Sequence, residues 1–279
     1  MTCFHFIRIF IDKYLKNVYL VLRVFSIIRI VTAYNLLGDF VKRTYLIIAI
    51  TAALYLAGHY FYPKNDVAVS KDLPLKNVSV VIDPGHGGLD NGASVGKIYE
   101  SELNLKISYA LKEELESRGA TVNMTREDEQ DMTKRNHHYS KQDDMYLRVK
   151  KIDSYKSDYL ISIHLNSAPA SGAWGSQVFY YKNSDKGKRL ASEIQTTMKE
   201  VTGSAKRISG ADFRVLRATQ TVGVLIECGF ISNANERGQL QSSKYHQKLA
   251  VKICDGIEKY REKYPEDTID PKDYEKILS

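Results

Sequence analysis

Two histidines and a few glutamates stand where apolar runs of this chain break off, and their types suit metal-dependent hydrolysis. His86 follows Val78-Ser-Val-Val-Ile-Asp-Pro-Gly. The β-branched run reads as a buried strand, and Pro84 and Gly85 break it. Gly85, Gly87 and Gly88 flank the histidine, so backbone or ligand can approach closely and the ring reads as displayed. The competing reading is a polar histidine in a surface turn. His164 lies in Leu-Ile-Ser-Ile-His-Leu-Asn, where strand alternation sets Ser162, His164 and Asn166 on one face and Ile161, Ile163 and Leu165 on the other. It too has a plain reading, as a hydrogen-bonded core residue. Glu227 ends the run Val-Gly-Val-Leu-Ile-Glu, and a carboxylate is almost never buried without a partner. Glu100 and Glu102 follow His86 after one short loop, at the start of a helix.

Two histidines and one carboxylate from separate elements make a zinc set that leaves a position open for water. A further carboxylate, not bound to metal, can then serve as general base. In an open α/β sheet such groups meet in the crevice beyond the strand ends.

The elements that must position these residues alternate. Strands are expected at Val78–Asp83, Ala120–Thr125, Tyr159–Asn166, Gly175–Tyr181 and Val222–Glu227. The first helix is expected from Glu102 to Arg118, with Ser101 as N-cap and Gly119 as its stop. Leu103, Ile107, Leu111 and Leu115 form its apolar stripe. Others are expected at Asp144–Ser154, Asp185–Val201 (Leu190, Ile194, Met198 and Val201 inward) and Lys244–Tyr260 (Leu249, Ile253 and Ile257 inward). The pattern predicts one three-layer α/β domain over residues 78–260, with a mixed, largely parallel central sheet between helices. Residues 261–279 are charged, without an apolar stripe, and read as a tail. Glu127 to Asp143 reads as a long polar loop, whose His137 and His138 are taken as solvated, not as ligands.

Net charge is +7, yet residues 1–43 hold seven Lys/Arg against two Asp/Glu. The remainder is close to neutral, which excludes an electrostatic footprint for nucleic acid. The three cysteines, Cys3, Cys228 and Cys254, have no regular spacing, which argues against a disulfide scaffold or a cysteine zinc site. Cys228 and Cys254 read as small buried residues.

Residues 44–62 are expected to form a membrane anchor. Tyr45 to Tyr62 is an uncharged run of 18 residues, near the length of a spanning helix, with Lys42 and Arg43 before it. The positive-inside rule puts the preceding residues in the cytoplasm and the domain outside. A cleaved signal peptide, giving a secreted protein, is the competing reading, although no small-x-small cleavage site is evident. In residues 4–37, Arg8, Asp12, Lys16 and Arg23 fall within an arc of roughly 80° on a helix. A basic amphipathic helix on the inner membrane face follows; a second span is made costly by Arg23 and Arg29. Val41-Lys-Arg-Thr-Tyr-Leu-Ile-Ile also resembles the start of an exported bacterial protein, which would make the preceding residues a mis-assigned extension. Residues 63–77 read as a polar linker.

From Val78 to about Tyr260 the chain resembles the zinc-dependent N-acetylmuramoyl-L-alanine amidases (amidase type 3). The resemblance rests on Asp83-Pro-Gly-His-Gly-Gly88, on Glu100 before Leu-Asn-Leu, on Ser162-Ile-His-Leu-Asn166 and on Glu227-Cys-Gly-Phe-Ile-Ser-Asn233. Arg126 and Arg148 also fit. Val222 stands where the family usually has proline, which alters a turn but no ligand. The resemblance implies that His86, Glu100 and His164 hold Zn²⁺ and that Glu227 activates water. The substrate would be peptidoglycan, cut between N-acetylmuramic acid and L-alanine of the stem peptide. Lys150 to Tyr181, with Trp174, resembles the membrane-anchored spore-cortex type, whose cut precedes muramic δ-lactam formation; a vegetative wall amidase is the alternative. A catalytically silent peptidoglycan binder is a rival of another class. A zinc peptidase is disfavoured because no His-Glu-x-x-His occurs. No protein activator is implied by the residues.

Overall fold

The computed structural model describes residues 23, 26–27, 38–61, 73–133, 140–169 and 172–267. The chain divides into two units, Met1–Ser70 and Lys71–Ser279.

In the first unit, helix α1 spans Asp39–Phe61. Its side chains from Thr44 to Ala53 are all exposed, among them Leu46, Ile47, Ile48 and Ile50. Among the described residues no helix is long and apolar enough to cross a membrane. The anchor expected over residues 44–62 is therefore not found as a membrane-spanning helix among the described residues. The amphipathic helix expected over residues 4–37 lies outside the described residues apart from Arg23, Ser26 and Ile27.

In the second unit the order of elements is β1 (Ser79–Pro84), β2 (Ser94–Val95), β3 (Ile98–Tyr99), α2 (Glu100–Ser117), β4 (Thr121–Met124), α3 (Lys141–Ser154), β5 (Tyr159–Asn166), β6 (Gln177–Tyr181), α4 (Asp185–Thr202), β7 (Ser209–Ala211), α5 (Arg214–Arg217), β8 (Val222–Phe230), α6 (Ala234–Leu240) and α7 (Ser243–Lys263). The central sheet runs β4-β1-β5-β8-β6-β7. β4, β1, β5 and β8 are parallel; β6 is antiparallel to β8 and parallel to β7. This is the mixed, largely parallel three-layer sheet the alternation predicts.

Register makes the two faces of the sheet unlike. Val80, Ile82, Ile161, Ile163, Val224 and Ile226 point into the main core, where the apolar stripes of α2, α4 and α7 meet them. The opposite face pairs Val81 with Leu160 and Asp83 with Ser162, then Ser162 with Leu225 and His164 with Glu227. It is apolar at its base, where Val81, Leu160 and Leu225 pack with Ile152, Val215 and Leu216. It turns polar at the carboxyl ends of the strands, where a ligand is expected in such a sheet.

α2 starts two residues earlier than the pattern suggests. Its N-cap is Tyr99, with no side-chain cap, instead of Ser101. The amides of Glu100 and Ser101 donate to the carbonyls of Ala93 and Asn91, so the loop before β2 satisfies them. Glu100 is thereby drawn into the first turn and buried. In α3 the buried residues are Asp144, Arg148 and Ile152, a mostly polar stripe invisible to a search for apolar period. The stretch expected as linker reaches the core: Leu75 is fully buried, and its amide donates to the Arg118 carbonyl. Beyond α7, Asp267 accepts from Arg189 at 2.8 and 2.7 Å and from Tyr260 at 3.0 Å, so the first part of the charged tail is tied down. His137 and His138 lie outside the described residues, and Cys228 and Cys254 are free, buried thiols.

Candidate metal centre

The glycine-flanked turn after β1 delivers His86 in a left-handed backbone conformation, φ 63°. Such a conformation in a non-glycine residue is uncommon and gathers at functional sites. Gly85 lies against the imidazole of His164, and a methyl group there would overlap that ring. Glycine is thus required for the β1 turn to pass β5, and this proximity brings the two histidines together with ring centroids 5.0 Å apart.

Glu100 completes the group from the first turn of α2. His86 Nε2 is 3.3 Å and His164 Nδ1 is 3.1 Å from Glu100 Oε1. One ligand atom from each of the three residues lies within 4.8 Å of the others, so this trio could hold a metal ion. The Glu100 carboxylate is buried and held on several sides. Oε2 accepts from the Ala93 amide at 2.8 Å, and Oε1 from the Leu165 amide at 3.0 Å. Burial alone would raise the pKa of Glu100, but the two histidines outweigh it and hold the group far below the usual carboxylate range. Glu102, two residues on, is exposed on the other side of the helix and pairs loosely with Lys106 at 3.9 Å.

No motif or period in the sequence marks Asp90, yet its Oδ2 lies 2.9 Å from His86 Nδ1. Carboxylates in this position fix the tautomer and orientation of ligating histidines. With Nδ1 so engaged, His86 turns Nε2 toward Glu100. Burial lowers the His86 pKa, but the bonds to Asp90 and Glu100 outweigh it and lift the ring to about 9. Asn104, one turn after Glu100 and fully buried, donates to the Gly85 carbonyl at 3.2 Å and locks α2 against the same turn.

Below the turn lies a buried charge network. Asp83, fully buried, accepts from Arg148 at 2.7 Å, Thr125 at 2.7 Å and Ser162 at 2.8 Å. Arg148 also donates to the carbonyls of Pro84 at 2.8 Å and His86 at 3.0 Å. Arg126 donates to Pro84, Gly85 and Ser101 carbonyls. Both arginines therefore grip the backbone that presents His86, which no sequence period could have shown.

Glu227 sits on β8 in register with His164. Burial, helped by the charge of Glu100, pushes its pKa up to about 7 against the opposing histidines. Its Oε2 is buried without a hydrogen-bond partner among the described residues. An orphaned buried oxygen costs free energy unless something at the site satisfies it. Facing a His–Glu–His group, that is the arrangement a metal with its water would complete, so the residues present fit a metal. Cys228 points to the other face and burial raises its thiol far above the ordinary range, so it stays inert. The site opens into a cleft of about 280 Å³ lined by His86, His164, Glu227, Lys141, Phe213 and Arg214 among others.

The comparisons with known proteins agree with this geometry. A family profile described as N-acetylmuramoyl-L-alanine amidase (Amidase_3) matches residues 80–259. The chain is 35% identical over 208 residues to a germination-specific N-acetylmuramoyl-L-alanine amidase of Bacillus subtilis, covering 72% of this chain and 87% of that one. Among solved structures it resembles the CwlD amidase of Clostridioides difficile in complex with the GerS lipoprotein, at 32% identity and TM-score 0.62, over 66% of this chain and 98% of that one. It also resembles the catalytic domain of CwlV, an N-acetylmuramoyl-L-alanine amidase from Paenibacillus polymyxa, at 31% identity and TM-score 0.57, over 66% of this chain and 98% of that one. The chain belongs to the N-acetylmuramoyl-L-alanine amidase family, and it is an amidase acting on peptidoglycan.

Proposed function

We propose that His86, Glu100 and His164 hold a zinc ion and that Glu227 is the general base that cleaves the bond between the lactyl group of N-acetylmuramic acid and L-alanine. The observation that carries this is the buried Oε2 of Glu227, without a hydrogen-bond partner among the described residues and in register with His164. Zinc bound there supplies Lewis acidity to the scissile carbonyl and to the attacking water. Asp90 keeps His86 turned to the site. Glu227, with its pKa near 7, takes the proton of the attacking water and returns it to the leaving alanine nitrogen. Mass spectrometry of purified peptidoglycan digested by the protein tests this. Stem peptides with a free alanine amine are expected; products of any other bond would overturn it.

We assign the cut to the step that precedes muramic δ-lactam formation in spore cortex, supported by the likeness to a germination-specific amidase. A lipoprotein partner is proposed on the likeness to an amidase solved with one. A mutant lacking the protein should make cortex without lactam; normal cortex with altered vegetative wall would select the vegetative role instead. The exposed apolar side chains of α1 support a membrane-facing N-terminal segment with the catalytic unit outside the cell. Protease added to intact protoplasts should then release a fragment beginning near Asn65, and a protected domain would refute it.

A further inference from the structure

Among the described residues, Arg214 is a cation of the cleft that has no carboxylate partner. Of the positive residues lining it, Arg148 is engaged by Asp83 and Asp144, and Lys141 lies 3.6 Å from Asp90. Arg217, one turn from Arg214, pairs with Asp212 at 3.0 Å. The Arg214 guanidinium is exposed and has no ion pair or side-chain hydrogen bond among the described residues. Its backbone is nevertheless firmly placed. Phe213 stacks edge-to-face on Phe179 with ring centroids 5.4 Å apart, and Val215 and Leu216 are buried under the sheet. Short helix α5 therefore presents one free guanidinium at the rim of the cleft that holds Glu227.

We propose that Arg214 determines specificity by binding a free carboxylate on the peptide side of the attacked bond. This rests on the amidase reading above. The glycan side of that bond carries no charge while the amide is intact, so a lone cation has nothing to meet there. The peptide side does carry carboxylates, and the nearest is the α-carboxyl of the second residue, which is free when that residue is γ-linked. Met145, Phe213, Val215 and Leu225 give the same cleft an apolar wall suited to the alanine methyl. About 280 Å³ is room for the part of the peptide next to the cut, not for a whole stem. The planar fork of arginine suits bidentate carboxylate recognition.

The test uses the full chain and two N-acetylmuramoyl peptides that differ only in a free or an amidated α-carboxyl on the second residue, with the γ-carboxyl blocked in both. Wild type should favour the free acid by about tenfold in kcat/KM, chiefly through KM, in keeping with one charge-assisted contact. Arg214→Ala should lose that preference, chiefly through a raised KM for the free acid, and Arg214→Lys should restore part of it. A wild type without preference, an Arg214→Ala variant that keeps it, or equal losses on both peptides would overturn the proposal. Failure of wild type to cleave either peptide at the muramoyl–alanine bond would instead count against the amidase reading.

Discussion

The Asp90 carboxylate holds Nδ1 of His86 at 2.9 Å, on the opposite side of the ring from Glu100. The ring is thus aimed by a residue outside the His86–Glu100–His164 group. Removing such an orienting carboxylate typically weakens metal binding by roughly 10–100-fold. Asp90→Ala should show a loss of that size in zinc affinity, measured by competition with a chromogenic chelator, and Asp90→Asn should lose less because it still accepts from Nδ1. Equal affinity in wild type and Asp90→Ala would show that the contact does not orient the ring.

Glu100 and Glu102 separate cleanly in the structure, the first buried between the histidines and the second exposed beside Lys106. Glu100→Gln should abolish activity and lower zinc content, while Glu102→Gln should keep both near wild type. The reverse ranking would mean that the chemistry lies elsewhere on α2.

For Glu227 the expectation has two parts. Glu227→Gln should keep the fold and bound zinc while turnover falls by roughly 10²–10⁴-fold, the usual contribution of general acid–base catalysis. The metal-free protein gives an independent reading. Glu227 is raised from 4.5 to about 7, so the folded state keeps its proton where the unfolded chain has released it. Stability is therefore lost as pH rises from 4.5 toward 7. Glu227→Gln removes that loss, so the metal-free variant should exceed metal-free wild type by about 3 kcal/mol at pH 8, with no such gain below the unfolded pKa. Urea titrations at both pH values would show it, and a gap independent of pH would contradict the raised pKa.

Arg148 is fully buried and joins Asp83, Asp144 and the carbonyls of Pro84 and His86. Arg148→Ala would leave Asp83 buried with Thr125 and Ser162 as its remaining donors. A loss of about 3–5 kcal/mol is expected, the usual cost of breaking one side of a buried pair. Arg148→Met should fare little better, because packing alone does not compensate the stranded carboxylate. A small change in the urea midpoint for either variant would show that Asp83 finds another partner or protonates at little cost.

Much of the candidate metal centre is legible in the sequence because it lies where simple periods end. β-branched runs broken by Pro84-Gly85, or ending in Glu227, mark strand ends, and alternation along Ile161 to Asn166 assigns His164 a face. Those signals are local, carried by the two-residue period of a strand and by backbone preferences of glycine and proline. The same locality explains the misses. β7 is three residues long and α5 four, too short for any period to register. The inward side of α3 carries Asp144 and Arg148, which look like a solvated face until Asp83 is seen opposite them. The choice of Glu100 over Glu102 rests on family resemblance in the sequence; in the structure it follows from the carbonyls of Asn91 and Ala93, in the loop before β2, which accept from the first helical amides and set the helix start at Glu100. Sequence alone determined the alternation of elements, the core stripes and the strand ends that carry His86, His164 and Glu227. Only tertiary structure decided that Asp90 turns His86, that Arg148 and Arg126 hold its backbone, and that Arg214 has no ion pair among the described residues. A chain encodes which way each residue faces within its own element, whereas a partner is fixed only when distant elements pack against one another.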